Sequence, residues 1–212
     1  MSLLDFAPGE VGLEAGGFAK GVAIGICTQN KDPDGLGRVK VKFPWYGGDT
    51  ESYWARIAVP MAGDKQGTWF LPEIGQELLL GFEREDIRFP VVLGALWNGK
   101  EAPPAANSDG RNDVRLIRSR AGHELMFNDG DQPKVELKLK DGKHLVFDQD
   151  GIVLEDENGD TIKIESGSGA ISIKANGQLK IEAASISLQA SGSLELKAGG
   201  TLTVRGTTVM IN

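Results

Sequence analysis

Two histidines with neighbouring carboxylates are the residues of this chain best suited to acid–base chemistry. His123 precedes Glu124, and His144 lies four residues before Asp148, so each pair has the residue types of a general base and its orienting carboxylate. Neither pair has a nucleophile motif such as Gly-x-Ser-x-Gly beside it, and both lie in sequence that alternates like strands. The sequence therefore predicts solvated or turn-capping histidines and no catalytic residue.

Clusters of acidic residues could cleave glycans or bind a cation. Asp148 and Asp150, and the acidic run 155–157, fall at predicted turns, where a solvated rim is expected and not the cleft that glycoside hydrolysis requires. Residues 156–160 read Asp-x-Asn-x-Asp, but the closing Glu of a twelve-residue calcium loop is missing, and an Asn-Gly turn explains the segment. We expect no metal and no cofactor.

Aromatic and basic residues in the first half could bind single-stranded nucleic acid by stacking. The tryptophans are Trp45, Trp54, Trp69 and Trp97, and the nearby cations are Arg38, Lys40, Lys42 and Arg56. The whole chain has a formal charge of -7, with net charges of -5 over residues 1–110 and -2 over 111–212, whereas binding to a phosphate backbone requires clustered Lys and Arg. A nucleic-acid binder is therefore kept only as an alternative.

Strand patterns dominate the chain, which is predicted to be all-β. Residues 1–19 are a Gly-rich arm, and residues 20–100 hold five predicted strands at 21–29, 37–43, 53–59, 77–83 and 90–97. Five short strands in about 80 residues suit a small closed barrel of the OB type, because closure removes exposed sheet edges. Cys27 lies in the first of these strands and is expected to be a buried, inert thiol.

A polar joint at 101–122 separates this barrel from a repeat over 123–212. From Ile162 onward, pairs of apolar residues flanking one polar residue start at intervals of 9, 8, 7, 8, 8 and 7 residues. Such a repeat puts two apolar side chains on one face of each strand and must stack to bury them, either within one chain or between chains. The apolar positions predicted to form the core are Leu125, Phe127, Leu145, Phe147, Ile152, Leu154, Ile162, Ile164, Ile171, Ile173, Leu179, Ile181, Ile186, Leu188, Leu194, Leu196, Leu202 and Val204.

Four fragments in order resemble the OB-fold of the central spike proteins of contractile injection systems, such as phage baseplate assembly protein V and VgrG-like spikes. They are GLGRVKVKFP (35–44), WARIAVP (54–60), GTWFLPEIGQE (67–77) and PVVLGALWN (90–98). With the repeat, the resemblance covers roughly residues 20–212. It implies an OB-fold barrel followed by an intertwined trimeric β-helix, a prism-like needle formed by three copies.

The resemblance also implies partners and a role. It implies a homotrimer, a separate baseplate hub protein at the barrel end, a PAAR-type tip protein docked on Val209, Met210, Ile211 and Asn212, and transient contact with a target envelope. No lysozyme insert, fused hub domain or His-x-His apex is expected. We expect a mechanical, non-enzymatic puncturing spike.

The N-terminus lacks the pattern of a signal peptide, which predicts synthesis in the cytoplasm and assembly into a phage tail or tail-like particle. A receptor-binding or glycan-degrading tail fibre built on the same stacked strands remains an alternative to the spike.

Overall fold

The computed structural model describes residues 19–46 and 51–211 and divides the chain into two compact units, Met1–Ala106 and Asn107–Asn212. Most of the predicted N-terminal arm thus lies outside the described residues. The described residues contain strands, turns and one 3-10 turn at Glu83–Glu85, and none of them forms a helix able to cross a membrane. The all-β prediction is confirmed.

The described residues of the first unit form seven strands. They are β1 (Val22–Gln29), β2 (Lys40–Lys42), β3 (Arg56–Ile57), β4 (Ala62–Gly63), β5 (Gln66–Gly67), β6 (Glu77–Phe82) and β7 (Pro90–Ala95). Five of them form a sheet in the order β2-β1-β6-β7-β3, in which only β3 and β7 are parallel, while β4 and β5 form a small separate hairpin.

Two isolated bridges join the outer strands of this sheet and close it into a barrel. Val39 pairs with Ala55, and Lys42 pairs with Glu51. Between these bridges the Ser52 hydroxyl accepts a hydrogen bond from the backbone N–H of Val41 at 3.2 Å, so the ladder is irregular there. This irregularity explains why β3 is much shorter than the strand predicted at 53–59.

Alternating apolar residues fill the barrel. Val39, Val41 and Phe43 point inwards along one strand and Leu78 and Leu80 along another, each at most 5% exposed. Cys27 is buried among them as a free thiol, as predicted, and burial raises its pKa. The barrel therefore has its own packed core.

The second unit is a single antiparallel sheet in which consecutive strands are neighbours. Its strands are β8 (Val114–Arg118), β9 (Glu124–Asn128), β10 (Lys134–Lys138), β11 (His144–Asp148), β12 (Gly151–Glu155), β13 (Thr161–Glu165) and β14 (Ile171–Lys174). β8 lies inside the segment predicted as a joint, because its alternating residues pair along their whole length with β9.

Three turns along one edge of this sheet have the same construction. In the turns after β8, β10 and β12, the N–H of a glycine donates to the carbonyl three residues before it, and each of these glycines has positive φ. They are Gly122, Gly142 and Gly159, with φ values of 91°, 102° and 80°. Glycine adopts this conformation without a steric penalty, so its recurrence fixes the hairpin register.

No strand is present over residues 175–211 of the single chain. The apolar pairs of the repeat continue through this segment, but they have no partner strands within one copy. The intertwined β-helix therefore stays a prediction.

Gly151 is the one buried residue of the second unit among those described. Its φ is 146°, and a Cβ at this position would collide with the carbonyl oxygen of Ile164 on β13. We predict that Gly151→Ala lowers the free energy of unfolding of the sheet by at least about 2 kcal/mol, measured by denaturant unfolding.

Gly167 is the matched control, because an added Cβ there meets no atom within 4 Å. Gly167→Ala should change stability by no more than about 0.5 kcal/mol. Equal unfolding midpoints for the two variants would contradict the assigned close approach.

Candidate functional site

The most distinctive surface of the chain is one face of the second-unit sheet, which we call the apolar face. Strand register places two rows of side chains on it. The first row is Ile117, Leu125, Leu137, Leu145, Leu154, Ile162 and Ile173, and the second is Arg115, Phe127, Val135, Phe147, Ile152, Ile164 and Ile171. Apart from Arg115, every member is apolar.

The apolar face has no cover in the single chain. Its large side chains are 40% exposed at Ile164 and 69% exposed at Ile171. A contiguous apolar surface of this extent is typical of an interface between protein chains and rare on a free monomer. The apolar face is therefore a candidate assembly surface.

The opposite face is covered by side chains of the same chain. Its central row includes Met126, Glu136 and Val146, all half-buried. Lys134 bonds Glu136 at 2.8 Å, and other charged side chains flank the row. Long charged side chains cover apolar neighbours while keeping their charges in water, so this face is suited to solvent.

The predicted core residues divide into two groups. Those from Leu125 to Ile173 lie together on the apolar face, and the structure adds Ile117, Val135 and Leu137 to them. Those from Leu179 to Val204 lie beyond the last strand, each at least 55% exposed. Their burial in a trimer stays a prediction.

The residues predicted to dock a tip protein are also exposed. Val209 is 50%, Met210 85% and Ile211 92% exposed, and Asn212 lies outside the described residues.

The two histidines are bound into turns. His123 Nδ1 accepts a hydrogen bond from the backbone N–H of Lys140 at 3.2 Å, which connects two successive turns. His144 Nδ1 lies 3.0 Å from the carbonyl oxygen of Gly142. Both rings therefore have hydrogen-bonding neighbours in the turns of the sheet.

The acidic loop 156–160 is an Asn-Gly turn. The Asp156 carboxylate accepts backbone N–H groups from Asp160 and Asn158, each at 2.9 Å, and these bonds lower its pKa, with Asp160 the larger cause. Asp160 in turn accepts the N–H of Asn176 at 2.6 Å. Asp156 therefore holds the loop itself and Asp160 connects it to Asn176, and no group of three potential metal ligands occurs in the described part of the chain.

Aromatic and basic side chains meet on one side of the barrel. Trp54 lies beside Arg38 and Lys40, whose cationic groups are 5.9 and 5.5 Å from its ring centroid. Four of the cations on this side already have a carboxylate partner: Arg38 with Asp32 and Asp34, Lys40 with Glu51, Arg56 with Glu83 and Arg88 with Asp86. Phosphate binding would have to displace these partners, which disfavours the nucleic-acid alternative.

Asp32 holds the loop between β1 and β2. Its carboxylate accepts the backbone N–H groups of Asp34, Leu36 and Arg38 and two bonds of 2.8 Å from the Arg38 guanidinium. Only 3% of the Asp32 side chain is exposed, and the hydrogen bonds from Arg38 hold its pKa well below the usual range. This loop is therefore fixed by one ionised carboxylate.

Residues 23–97 match the family of type VI secretion system/phage-baseplate injector OB domains. The matched region spans β1 to β7 together with the Asp32 loop. Over these residues the chain resembles that family, and the predicted OB barrel is confirmed.

Curated relatives are spike proteins of type VI secretion systems. The chain is 32% identical over 104 residues to spike protein VgrG3 of Vibrio cholerae, covering 45% of this chain and 10% of the relative. It is 28% identical over 149 residues to spike protein VgrG1a of Pseudomonas aeruginosa, covering 64% of this chain and 22% of the relative. The second similarity includes more residues than the first unit contains and so extends into the repeat.

A third relative is the actin cross-linking toxin VgrG1 of Vibrio cholerae, 27% identical over 135 residues that cover 58% of this chain and 12% of the relative. The chain thus spans less than a quarter of the length of each of these relatives. The resemblance to VgrG-like spikes of contractile injection systems is confirmed.

The Asp32 loop gives a test by pH. Because the folded pKa of Asp32 is lowered, its contribution to stability is complete above the ordinary Asp pKa of about 4 and is lost as the pH falls below that value. We predict that Asp32→Asn lowers the melting temperature of the barrel at pH 7 and reduces its dependence on pH below about 4.

Asp34 supplies the control, because its side chain is 66% exposed and its carboxylate accepts a hydrogen bond from Nη2 of Arg38 at 2.6 Å. Asp34→Asn should have the smaller effect in thermal unfolding followed by tryptophan fluorescence. A larger effect of Asp34→Asn would contradict the role given to Asp32.

Proposed function

We propose that three copies of this chain form the central spike of a contractile injection system, acting mechanically and without bond chemistry. The observation that carries the proposal is the apolar face, a continuous apolar surface over seven strands that one chain leaves open. Burying an Ile or Leu side chain contributes roughly 1.5–3 kcal/mol relative to full exposure, so covering these half-exposed rows strongly favours association.

Three sheets can close around one axis with their apolar faces inwards and their charged faces in water. In that prism each copy supplies one face over residues 114–174, and the stacked rows become the shared core. The number three rests on the resemblance to spike proteins, because two sheets packed face to face would also cover the apolar rows.

Residues 175–211 are proposed to pair between chains. They keep the alternation of apolar and polar residues, but one copy offers no neighbouring strand to pair with their N–H and C=O groups. Short connectors of small residues, such as Ala-Gly-Gly at 198–200, allow each chain to pass from one face of the prism to the next. Strands of three chains then alternate along the needle.

The chain enters and leaves the barrel at different ends, and this suggests where a hub protein docks. The N-terminal end of β1 pairs with the end of β6, whereas the chain leaves β7 beside the start of β6, where Leu96 N–H donates to the Glu77 carbonyl. The chain thus arrives and leaves at opposite ends of the barrel. We place the hub at the end where Ala19 lies and a tip protein at the far end of the repeat.

This role includes assembly in the cytoplasm into a phage tail or tail-like particle and transient contact with a target envelope. It is supported by the injector OB domain and by the spike proteins among the relatives. A glycan-degrading fibre receives no such support, because each of three barrel cavities is lined by a single carboxylate, at Glu51, Glu83 or Glu101.

The mass of the full chain in solution tests the proposal. We expect three times 22.7 kDa for the unmodified protein by light scattering. Ile164→Asp should give monomers, because it places three carboxylates inside the shared core, where unpaired charge is very costly.

Lys163→Asp changes the neighbouring residue on the charged face and should remain a trimer. A monomeric unmodified chain, or an Ile164→Asp variant that stays fully trimeric, would overturn the proposed assembly. A stable dimer would exclude the threefold prism while leaving the apolar face as its interface.

Cross-chain pairing of 175–211 has a separate test. We predict that amide hydrogen exchange over residues 179–204 is slow in the trimer and becomes fast in Ile186→Asp, because the strands there form only between copies. Ser187 is the polar residue between the apolar residues Ile186 and Leu188. Ser187→Asp should therefore retain slow amide exchange over residues 179–204. Fast exchange in the unmodified trimer would contradict the pairing of this segment.

A further inference from the structure

An aromatic groove crosses the barrel at the irregular stretch between the two closing bridges. It has a volume of about 570 Å³ and is lined by the apolar and aromatic residues Phe43, Tyr46, Tyr53, Trp54 and Ile87 and by the charged residues Lys40, Glu51 and Arg88. Nothing in the proposed spike uses this groove. We propose that the N-terminal arm of the same chain, within residues 1–18, docks in it.

The first argument is the position of Ala19, the first described residue of the chain. Ala19 is 7% exposed, and its N–H donates to the Glu85 carbonyl at 2.7 Å. Glu85 ends the 3-10 turn that leads into Ile87 and Arg88, both of which line the groove. The residue that follows the arm is therefore anchored beside the groove, and a few extended residues at about 3.3 Å each suffice to reach it.

The second argument is the exposed aromatic surface. Tyr53 and Phe89 stack with ring centroids 5.6 Å apart, although their side chains remain 61% and 48% exposed. Aromatic residues arranged in this way provide a large apolar contact area at low entropic cost. They fit an apolar peptide segment.

The third argument is complementary composition. Residues 1–18 contain Leu, Val and Phe side chains and three acidic residues, Asp5, Glu10 and Glu14, but no Lys or Arg. Arg88 bonds Asp86 through Nε and Nη2, which leaves the Nη1 donors directed away from that carboxylate. The charged residues of the groove are Lys40, which is paired with Glu51, and Arg88, so Arg88 is the group that an acidic residue of the arm would meet.

Photo-cross-linking of the full chain tests the docking. We place p-benzoylphenylalanine at position 53 in the groove and, as a control, at position 70, where Phe70 is similarly exposed at 65% but is not part of the groove. The expected products join position 53 to residues 1–18, and position 70 gives none. Products that lack the arm at position 53 would overturn the proposal.

Mixing isotopically labelled and unlabelled copies identifies whose arm is bound. Cross-links within one isotopic species support docking of the chain's own arm, and mixed-isotope cross-links would overturn it in favour of a neighbouring copy's arm. The result is independent of the spike proposal, because it is read from the barrel whether the chain is a trimer or a monomer.

Proteolysis gives a second measurement. Endoproteinase Glu-C should cleave at Glu10 and Glu14 several-fold faster in Tyr53→Ser and Phe89→Ser than in the unmodified chain or in Phe70→Ser, because Tyr53 lines the groove and Phe89 stacks on Tyr53. Both substituted rings lie on the surface, so the barrel core is retained. Equal cleavage rates in all four proteins would also overturn the docking.

Discussion

An antiparallel sheet in which each strand pairs with the next satisfies its backbone hydrogen bonds within one chain. This pairing does not bury the side chains on the two faces of the sheet. In the second unit the charged face is covered by its own side chains, whereas the apolar face is open from β8 to β14. The barrel solves the same problem by closure, with ten apolar residues buried inside it. One half of the chain therefore buries its apolar side chains by itself, whereas the other half leaves them open, and the proposed assembly follows from this difference.

The details of the sheet serve this open face by holding its two rows in register. Recurring glycine turns fix the hairpins, and side chains connect one turn to the next, as Lys143 does with Glu157 at 2.7 Å and Asn176 with Asp160. A slip of one residue would move a whole strand's apolar set to the charged face. The polar turn contacts are worth little individually, but they act against such slips.

Strand alternation allowed much of this arrangement to be predicted from the sequence. β1, β6 and β7 begin within one residue of their predicted starts, because buried strands with strict apolar alternation give the clearest pattern. β3 was predicted too long because the Ser52 irregularity depends on a contact with Val41. The hairpin of β4 and β5 carries no alternation at all, and the aromatic groove brings together Tyr53 and Ile87, which are far apart in sequence.

Residues 175–211, the C-terminal part of the repeat, are the segment whose strand pairing a single chain does not define. Its apolar pairs are as regular as those of the sheet, yet residues 175–211 have no strands, because regular pairs specify a face and not a pairing partner. In the proposed needle the partner strands belong to other copies, and the backbone hydrogen bonds run along the needle axis at about 4.8 Å per strand. An axial load is then carried by a ladder of backbone bonds around a dry core, and no single side chain is essential to it. A spike of this kind requires apolar continuity and not chemically reactive groups, and both histidines and the Asp156 carboxylate make contacts that hold the turns of the sheet.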